Sequence, residues 1–375
     1  MLKVMPIFGT RPEAIKMAPL IKELESNEFL DTRVVVTAQH REMLDQVLDL
    51  FHIQPAYDLD IMEDGQTLID ATYKILHGMK EILEKEKHDM VLVHGDIVTT
   101  FAGSLAAFFY QIPIGHVEAG LRSYNKFSPY PEEMNRKLTG SLTDLHFAPT
   151  MRAKQNLINE GIPGSQIFVT GNTVIDSIRY VLEDSYQFQD ELDSVDFGRK
   201  RVILVTAHRR ENWGEPMRNI FTAVKKLAEL NADIEFIFSM HKNPKVRRMA
   251  YEILGNAPRV HLIEPLDYKP FVNLLHKCYF VMTDSGGIQE EAPSLGKPVL
   301  LLRDTTERPE AVDAGTVRLV GCNCERIVKE ANLLLQNHLE YRIMANAVNP
   351  YGDGKASQRI VSSILKYFGM RDSSV

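Results

Sequence analysis

Two sets of short, unbroken apolar runs, each run followed by a longer amphipathic stretch, restrict this chain to an α/β architecture. The first set reads "VMPIF", "RVVVTA", "MVLVHG", "IGHVEA", "HFAPT" and "IFVTG"; the second reads "VILVTA", "IEFIF", "VHLIEP", "YFVMTD", "PVLLL" and "VRLVG". Runs rich in β-branched residues that do not alternate polar with apolar are strands covered on both faces. Between them lie segments such as "AIKMAPLIKELE" and "RNIFTAVKKLAEL", whose apolar residues recur at helical spacing. Alternating β and α units predict parallel sheets joined by right-handed crossovers. The polar stretch "YQFQDELDSVDFGRK" separates the sets. The fold class is therefore α/β, with two Rossmann-like domains at 1–172 and 173–357. The C-terminal helix, 358–375, is expected to return to the first domain.

At 375 residues the chain is long enough for two cores. Its formal net charge of −7 argues against a broad nucleic-acid-binding face, so any anionic ligand must meet a local cluster of Arg and Lys. The three cysteines, Cys278, Cys322 and Cys324, form no disulfide framework, which points to a reducing compartment. "CNC" has no second Cys/His pair nearby, so no metal site is indicated. The apolar run at the N-terminus stops at Gly9, too short for a signal-peptide core. The most apolar stretch, "FAGSLAAFFYQIPIGHV", is broken by Gln111 and Pro113. A cytoplasmic protein with no membrane partner is expected.

In open α/β sheets ligands bind beyond the carboxyl ends of strands, and two such domains face to face would put that crevice between them. After the first run comes "GTRPEAIK", where Gly9 permits a tight turn and Arg11 and Lys16 flank a helix start that favours anions. No G-x-G-x-x-G follows a strand, and "YGDGKA" lacks Walker-loop spacing, which argues against a dinucleotide and an NTPase. Asp96 ends "HGD" and Glu118 lies in "HVEAGLRS", so both project toward one rim. "SPYPEEMNRK" follows, with Pro131 shaped for a first helical turn beside Glu132 and Glu133. For Glu133 alone, complementing the helix dipole is explanation enough. Acids at successive strand ends read as acid/base groups.

In the second half, His208, Arg209 and Arg210 of "TAHRREN" form a cationic cluster suited to a diphosphate. His241, alone at a strand end, reads as a structural hydrogen-bonder. "TDSGGIQEEA" places Ser285, Gly286 and Gly287 where backbone N–H groups can meet phosphate oxygens, with Glu290 and Glu291 just beyond. Carboxylates there would repel a phosphate, but one of them can reach the diol of a ribose. Arg308 in "RDTTERPE" adds a second positive charge. These residues alone indicate an enzyme acting on a nucleotide sugar.

Taken together, "GTRPEAIKMAPL", "TAQHREMLDQVL", "VLVHGD", "GHVEAGLRS", "SPYPEEMNR", "HFAPT", "TGNTVIDS", "TAHRRENWGEP", "TDSGGIQEEAPSLGKPV", "RDTTERPEAV" and "NPYGDGKAS" resemble the non-hydrolysing bacterial UDP-N-acetylglucosamine 2-epimerases from about residue 3 to about 365. The resemblance implies GT-B architecture and interconversion of UDP-GlcNAc and UDP-ManNAc with no cofactor, neither metal nor nicotinamide. By position it gives Arg11, Lys16, Phe271, Ser285, Gly286, Gly287, Glu291 and Arg308 to nucleotide binding, with Glu291 on the ribose. It gives Asp96, Glu118, Glu132 and His208 to catalysis. It also implies a homodimer that serves cell-surface polysaccharide synthesis. Ile97 and Val98 replace two threonines common in relatives, which touches the hydrogen bonding around Asp96. Gln39 and His40 suit an effector site for UDP-GlcNAc seen in many relatives, yet Glu42 and Gly65 replace a Gln and an Arg of activated ones.

The chemistry expected of such a site is elimination. C2–H of GlcNAc is barely acidic, but in the α-linked substrate C1–O and C2–H are axial on opposite faces. UDP can leave to give a 2-acetamidoglucal and then return to C1 after a proton reaches the other face of C2. Three other readings remain: a GT-B glycosyltransferase, a hydrolysing epimerase, and a sensor that binds without turnover.

Overall fold

The computed structural model describes residues 1–38, 41–63, 65–193 and 195–370. The chain divides into two compact units, Met1–Tyr180 with the stretch from Tyr351 onward, and Val181–Pro350. These joins compare with 172 and 357 from the sequence. The helix Thr173–Val181 lies almost wholly in the first unit, and so does the turn before the last helix, Ala356–Tyr367. Asp176 explains the return. Its carboxylate accepts from Ser357 N at 2.8 Å and Ala356 N at 3.2 Å, satisfying two of the first N–H groups of the last helix from a neighbouring helix. Asn172 N donates to Tyr351 O at 2.7 Å, and the last helix packs on the helix Arg11–Glu25.

Among the described residues the first unit has strands β1 (Leu2–Phe8), β2 (Leu30–Thr32), β3 (Val35–Val36), β4 (Tyr57–Asp58), β5 (Met90–His94), β6 (Ile114–Val117), β7 (Leu145–Ala148) and β8 (Ile167–Val169). Their order is β4-β3-β1-β5-β6-β7-β8, with β2 also pairing β1, and every pairing is parallel. All of β5 and the last five residues of β1 are buried, which is why those runs carry no polar alternation. The run "RVVVTA" contributes only the short β3, and β4 leaves no periodic trace in two residues.

The second unit has β9 (Arg201–Thr206), β10 (Ile234–Ser239), β11 (Val260–Ile263), β12 (Phe280–Thr283), β13 (Val299–Leu301) and β14 (Val317–Leu319) among the described residues. They are parallel throughout, in the order β11-β10-β9-β12-β13-β14. Its core joins Ile203, Val205, Phe236, Phe238, Phe280 and Met282 of the sheet to Phe221, Val224 and Leu227 of the helix Glu215–Leu230. Strand order reverses between β1 and β5 in one sheet and between β9 and β12 in the other. Loops leaving such a pair diverge to opposite faces and open a crevice at the carboxyl edge. No helix among the described residues is long and apolar enough to cross a membrane.

Candidate active site

In the first unit, the loops after β1, β5 and β6 bring sequence-predicted residues together. β1 runs through Gly9 into the helix Arg11–Glu25. Gly9 serves packing rather than the tight turn expected of it: a Cβ there would lie 2.0 Å from Thr37 Oγ1 and 2.9 Å from Thr99 Oγ1. Those two hydroxyls are themselves bonded at 2.9 Å. Within the first turn of the helix, the Glu13 carboxyl accepts from Gly9 N, Thr10 N and Thr10 Oγ1, each at 3.0 Å. Burial pushes its pKa up to about 8, and the nearby Asp96 adds to the rise.

Glu118 is the hub of this cluster. It is 7% exposed, and its backbone is left-handed, with φ at 63°. That conformation costs a non-glycine residue roughly 1–2 kcal/mol. Arg136 of the helix Glu132–Leu142 donates Nη1 to the Glu118 carbonyl and Nη2 to Asp96 Oδ2, and Nη2 also lies 3.5 Å from Glu118 Oε1. Lys16 Nζ donates to Glu118 Oε2, and Asn172 Nδ2 donates to the same oxygen at 2.9 Å. Burial acts to raise the Glu118 pKa, but Lys16, then His94 and Arg136, outweigh it and hold the carboxylate well below its usual range. His94 ends β5 with Nε2 3.9 Å from Glu118 Oε2, and burial lowers its pKa to about 4 against the pull of the Glu118 charge.

Asp96 joins the network through Arg136, and Asn135 Nδ2 donates to its carbonyl at 3.0 Å. Thus the helix Glu132–Leu142 supplies the hydrogen bonds that Ile97 and Val98 cannot. Glu132 opens that helix, with Pro131 just before the first turn rather than in it. Its Oε2 is buried with no hydrogen-bond partner among the described residues. Glu133 does more than complement the dipole: its carboxylate accepts from Ser123 N at 2.8 Å and Tyr124 N at 2.9 Å, tying down the loop after β6. Arg11 stands half-buried at the first helical position.

In the second unit, the loops after β9 and β12 form a second cluster around Asp284. This residue is fully buried and accepts from His208 N at 2.9 Å, Arg209 N at 2.8 Å and Asn212 Nδ2 at 3.0 Å through Oδ2. His208 Nδ1 lies 3.0 Å from Oδ1. Burial raises the Asp284 pKa, but the bonds from His208 and Arg209 more than compensate and keep it below its ordinary value. An ionised carboxylate can only accept, so Nδ1 carries a proton and Nε2 is the atom left to act. His241 is part of this arrangement, its ring stacked 5.8 Å from that of His208.

Glu290 and Glu291 follow the Ser285-Gly286-Gly287 turn in the helix Ile288–Ser294. Glu290 is 1% exposed and accepts from Arg308 Nε at 2.5 Å, so it orients the cation rather than meeting a ligand. Glu291 is half-buried. A Cβ on Gly286 would come within 2.8 Å of both Arg308 Nη1 and Glu307 Oε1, so a side chain there would push these two charged ends aside. Phe271 is half-buried on the helix Tyr268–Lys277. Arg210 is exposed, with its guanidinium carbon 5.7 Å from the centre of the Trp213 ring. Gln39 and His40 lie outside the described residues.

The profile of the UDP-N-acetylglucosamine 2-epimerase family matches residues 22–365. The chain is 55% identical over 370 residues to the UDP-N-acetylglucosamine 2-epimerase of Bacillus subtilis, covering 99% of this chain and 97% of that protein. The chain belongs to the UDP-N-acetylglucosamine 2-epimerase family. Its enzymatic class is therefore that of an isomerase. An S. aureus protein solved with UDP superposes with a TM-score of 0.89 at 52% identity, covering 100% of both chains. The Neisseria meningitidis UDP-GlcNAc 2-epimerase bound to UDP-GlcNAc does so at 0.87 and 50% identity, covering 97% of this chain and all of that one. Both agree with the two parallel α/β units described above.

Sequence reasoning missed Glu13, His94, Arg136, Asn172, Asp284 and Glu290 as members of these clusters. Asp284 and Glu290 stood inside a quoted motif, and their position beside Ser-Gly-Gly was the available signal. Arg136 and Asn172 also stood inside quoted motifs, but nothing in those motifs ties them to Glu118; only the fold brings them there. Among the described residues, no group of three or more His, Cys, Asp and Glu side chains is placed to hold a metal ion.

Proposed function

We propose that this protein interconverts UDP-N-acetylglucosamine and UDP-N-acetylmannosamine by anti elimination of UDP and its re-addition to a 2-acetamidoglucal. The S. aureus relative solved with UDP and the Neisseria relative bound to UDP-GlcNAc support the choice of nucleotide sugar. The observation that carries the mechanism is the carboxylate cluster of the first unit, where Asp96 and Glu118 share Arg136 and Glu132 opens the same helix. A glycosyltransferase needs one base and an acceptor; a C2 epimerase needs proton exchange on both faces of one carbon.

The carboxyls are not equivalent. Glu118, ionised and held by Lys16, Asn172 and Arg136, is a weak base and serves best as fixed negative charge beside an oxocarbenium-like transition state. Glu132, with a buried and unpartnered Oε2, is freest to exchange a proton, and Asp96 is the second candidate. In the second unit, Arg209 and Arg308 with the Ser285-Gly286-Gly287 turn take the diphosphate, Glu291 the ribose, and His208 Nε2 the departing phosphate oxygen. Arg210 and Phe271 complete the nucleotide set, and Arg11 opens the helix that carries Lys16. Charge on leaving UDP is thereby stabilised where it develops.

The decisive measurement is incubation with UDP-GlcNAc in D₂O, following C2 by NMR. Deuterium at C2 of the UDP-ManNAc formed is the expected result. Epimer formation with the original hydrogen retained overturns elimination, and free ManNAc as the first product indicates hydrolysis instead.

A further inference from the structure

Three arginines of the second unit converge on one carboxylate. Arg209 Nη2 lies 3.3 Å and Arg308 Nη1 3.0 Å from Glu307 Oε1, while Arg303 Nη1 lies 2.7 Å from Oε2. The same Oε1 stands where a Cβ on Gly286 would be 2.8 Å away, so the acid also lies against the Ser-Gly-Gly turn. Burial acts to raise the Glu307 pKa, but Arg308, Arg303 and Arg209 hold it below its ordinary value, so the charge is present at neutral pH.

Glu307 is not needed to aim Arg308. The buried Glu290 already takes Arg308 Nε at 2.5 Å, and Arg308 N is held by Thr306 Oγ1 at 3.0 Å. Nor is Arg209 placed by Glu307 alone, since Asp284 fixes its backbone N–H. What Glu307 does is occupy the guanidinium N–H groups that a diphosphate requires. A second anion on the same donors must be displaced or repelled when the phosphates arrive.

We propose that Glu307 is a resident counter-anion that lowers the affinity of the Arg209/Arg308 pair for the nucleotide's diphosphate, easing release of the nucleotide sugar. This rests on the reading of those arginines as the diphosphate site. The carboxylate is 39% exposed, so it can swing into solvent, and Arg303 then keeps Glu211 at 3.3 Å as its partner. Lower affinity of this kind acts on substrate and transition state alike and appears in KM.

The test is calorimetric titration of the full chain with UDP and with uridine at low and high salt, for wild type, Glu307→Gln and Glu307→Asp. Glu307→Gln should bind UDP about tenfold more tightly at low salt, with the gain shrinking at high salt. Uridine, lacking phosphates, should bind all three alike, and Glu307→Asp should stay close to wild type. KM for UDP-GlcNAc should fall with Glu307→Gln while kcat does not rise. If Glu307→Gln binds UDP equally or more weakly, Glu307 is a strut for the arginines and the proposal is overturned. If UDP binds none of the three proteins, the nucleotide reading of this cluster fails with it.

Discussion

Replacing Asp284 with Asn changes one atom type and nothing in volume, yet four hydrogen bonds depend on it. The amide's single carbonyl oxygen, set in the Oδ2 position, can still accept from His208 N, Arg209 N and Asn212 Nδ2. Its NH₂ then faces His208 Nδ1 across the 3.0 Å now spanned by a proton on the imidazole. Two donors cannot share that contact, so the imidazole must move its proton to Nε2 or swing away. Either change removes the group assigned to the departing phosphate in its working form. Losing one positioned acid/base group costs about 10²–10⁴-fold in kcat. Losing the charge-assisted bonds of a buried carboxylate costs about 1.5–3 kcal/mol of stability. The assays are steady-state epimerisation of UDP-GlcNAc, urea unfolding, and ¹⁵N NMR of the His208 ring. Near-normal turnover with Nδ1 still protonated would refute the reasoning.

Two further outcomes are expected. Glu13 takes up a proton on folding, because its pKa rises from 4.5 to about 8. Between those values the folded state holds more protons than the unfolded one, so stability falls as pH rises through that window. Glu13→Gln should therefore be more stable than wild type at pH 8, with the advantage gone near pH 4; parallel urea midpoints across that range would contradict the assignment. Arg136→Lys keeps the charge but loses the fork that bonds the Glu118 carbonyl and Asp96 together. Turnover should fall by about 10²-fold at little cost in UDP affinity, measured by kcat beside calorimetry; an equal loss of UDP binding would refute a role confined to the carboxylates.

Much of the scaffold was legible because sheet burial writes itself into composition. β5 and β9 are apolar along nearly their whole length, since both faces are covered, and that pattern survives in "MVLVHG" and "VILVTA". Short elements were not legible: β4 spans two residues, fewer than any period can reveal. At the sites, residues lying next to a strand end stood out, such as Asp96, Glu118 and His208. Their partners did not. Asn172 reaches Glu118 from 54 positions away, and Asp284 holds His208 from 76 positions away.

The same divide separates what a residue is from what it does. Sequence by itself determined that carboxylates, arginines and a histidine would collect at strand ends, because β/α alternation forces those ends to one edge of each sheet. Only the tertiary structure decided their states. Glu13 and Glu118 are both buried acids of the first unit, yet burial outweighs the N–H and O–H donors around Glu13 and raises it to about 8, while Lys16, His94 and Arg136 outweigh burial and lower the other. Charge in a low-dielectric interior is set by neighbours a few ångströms away, and those neighbours come from distant parts of the chain.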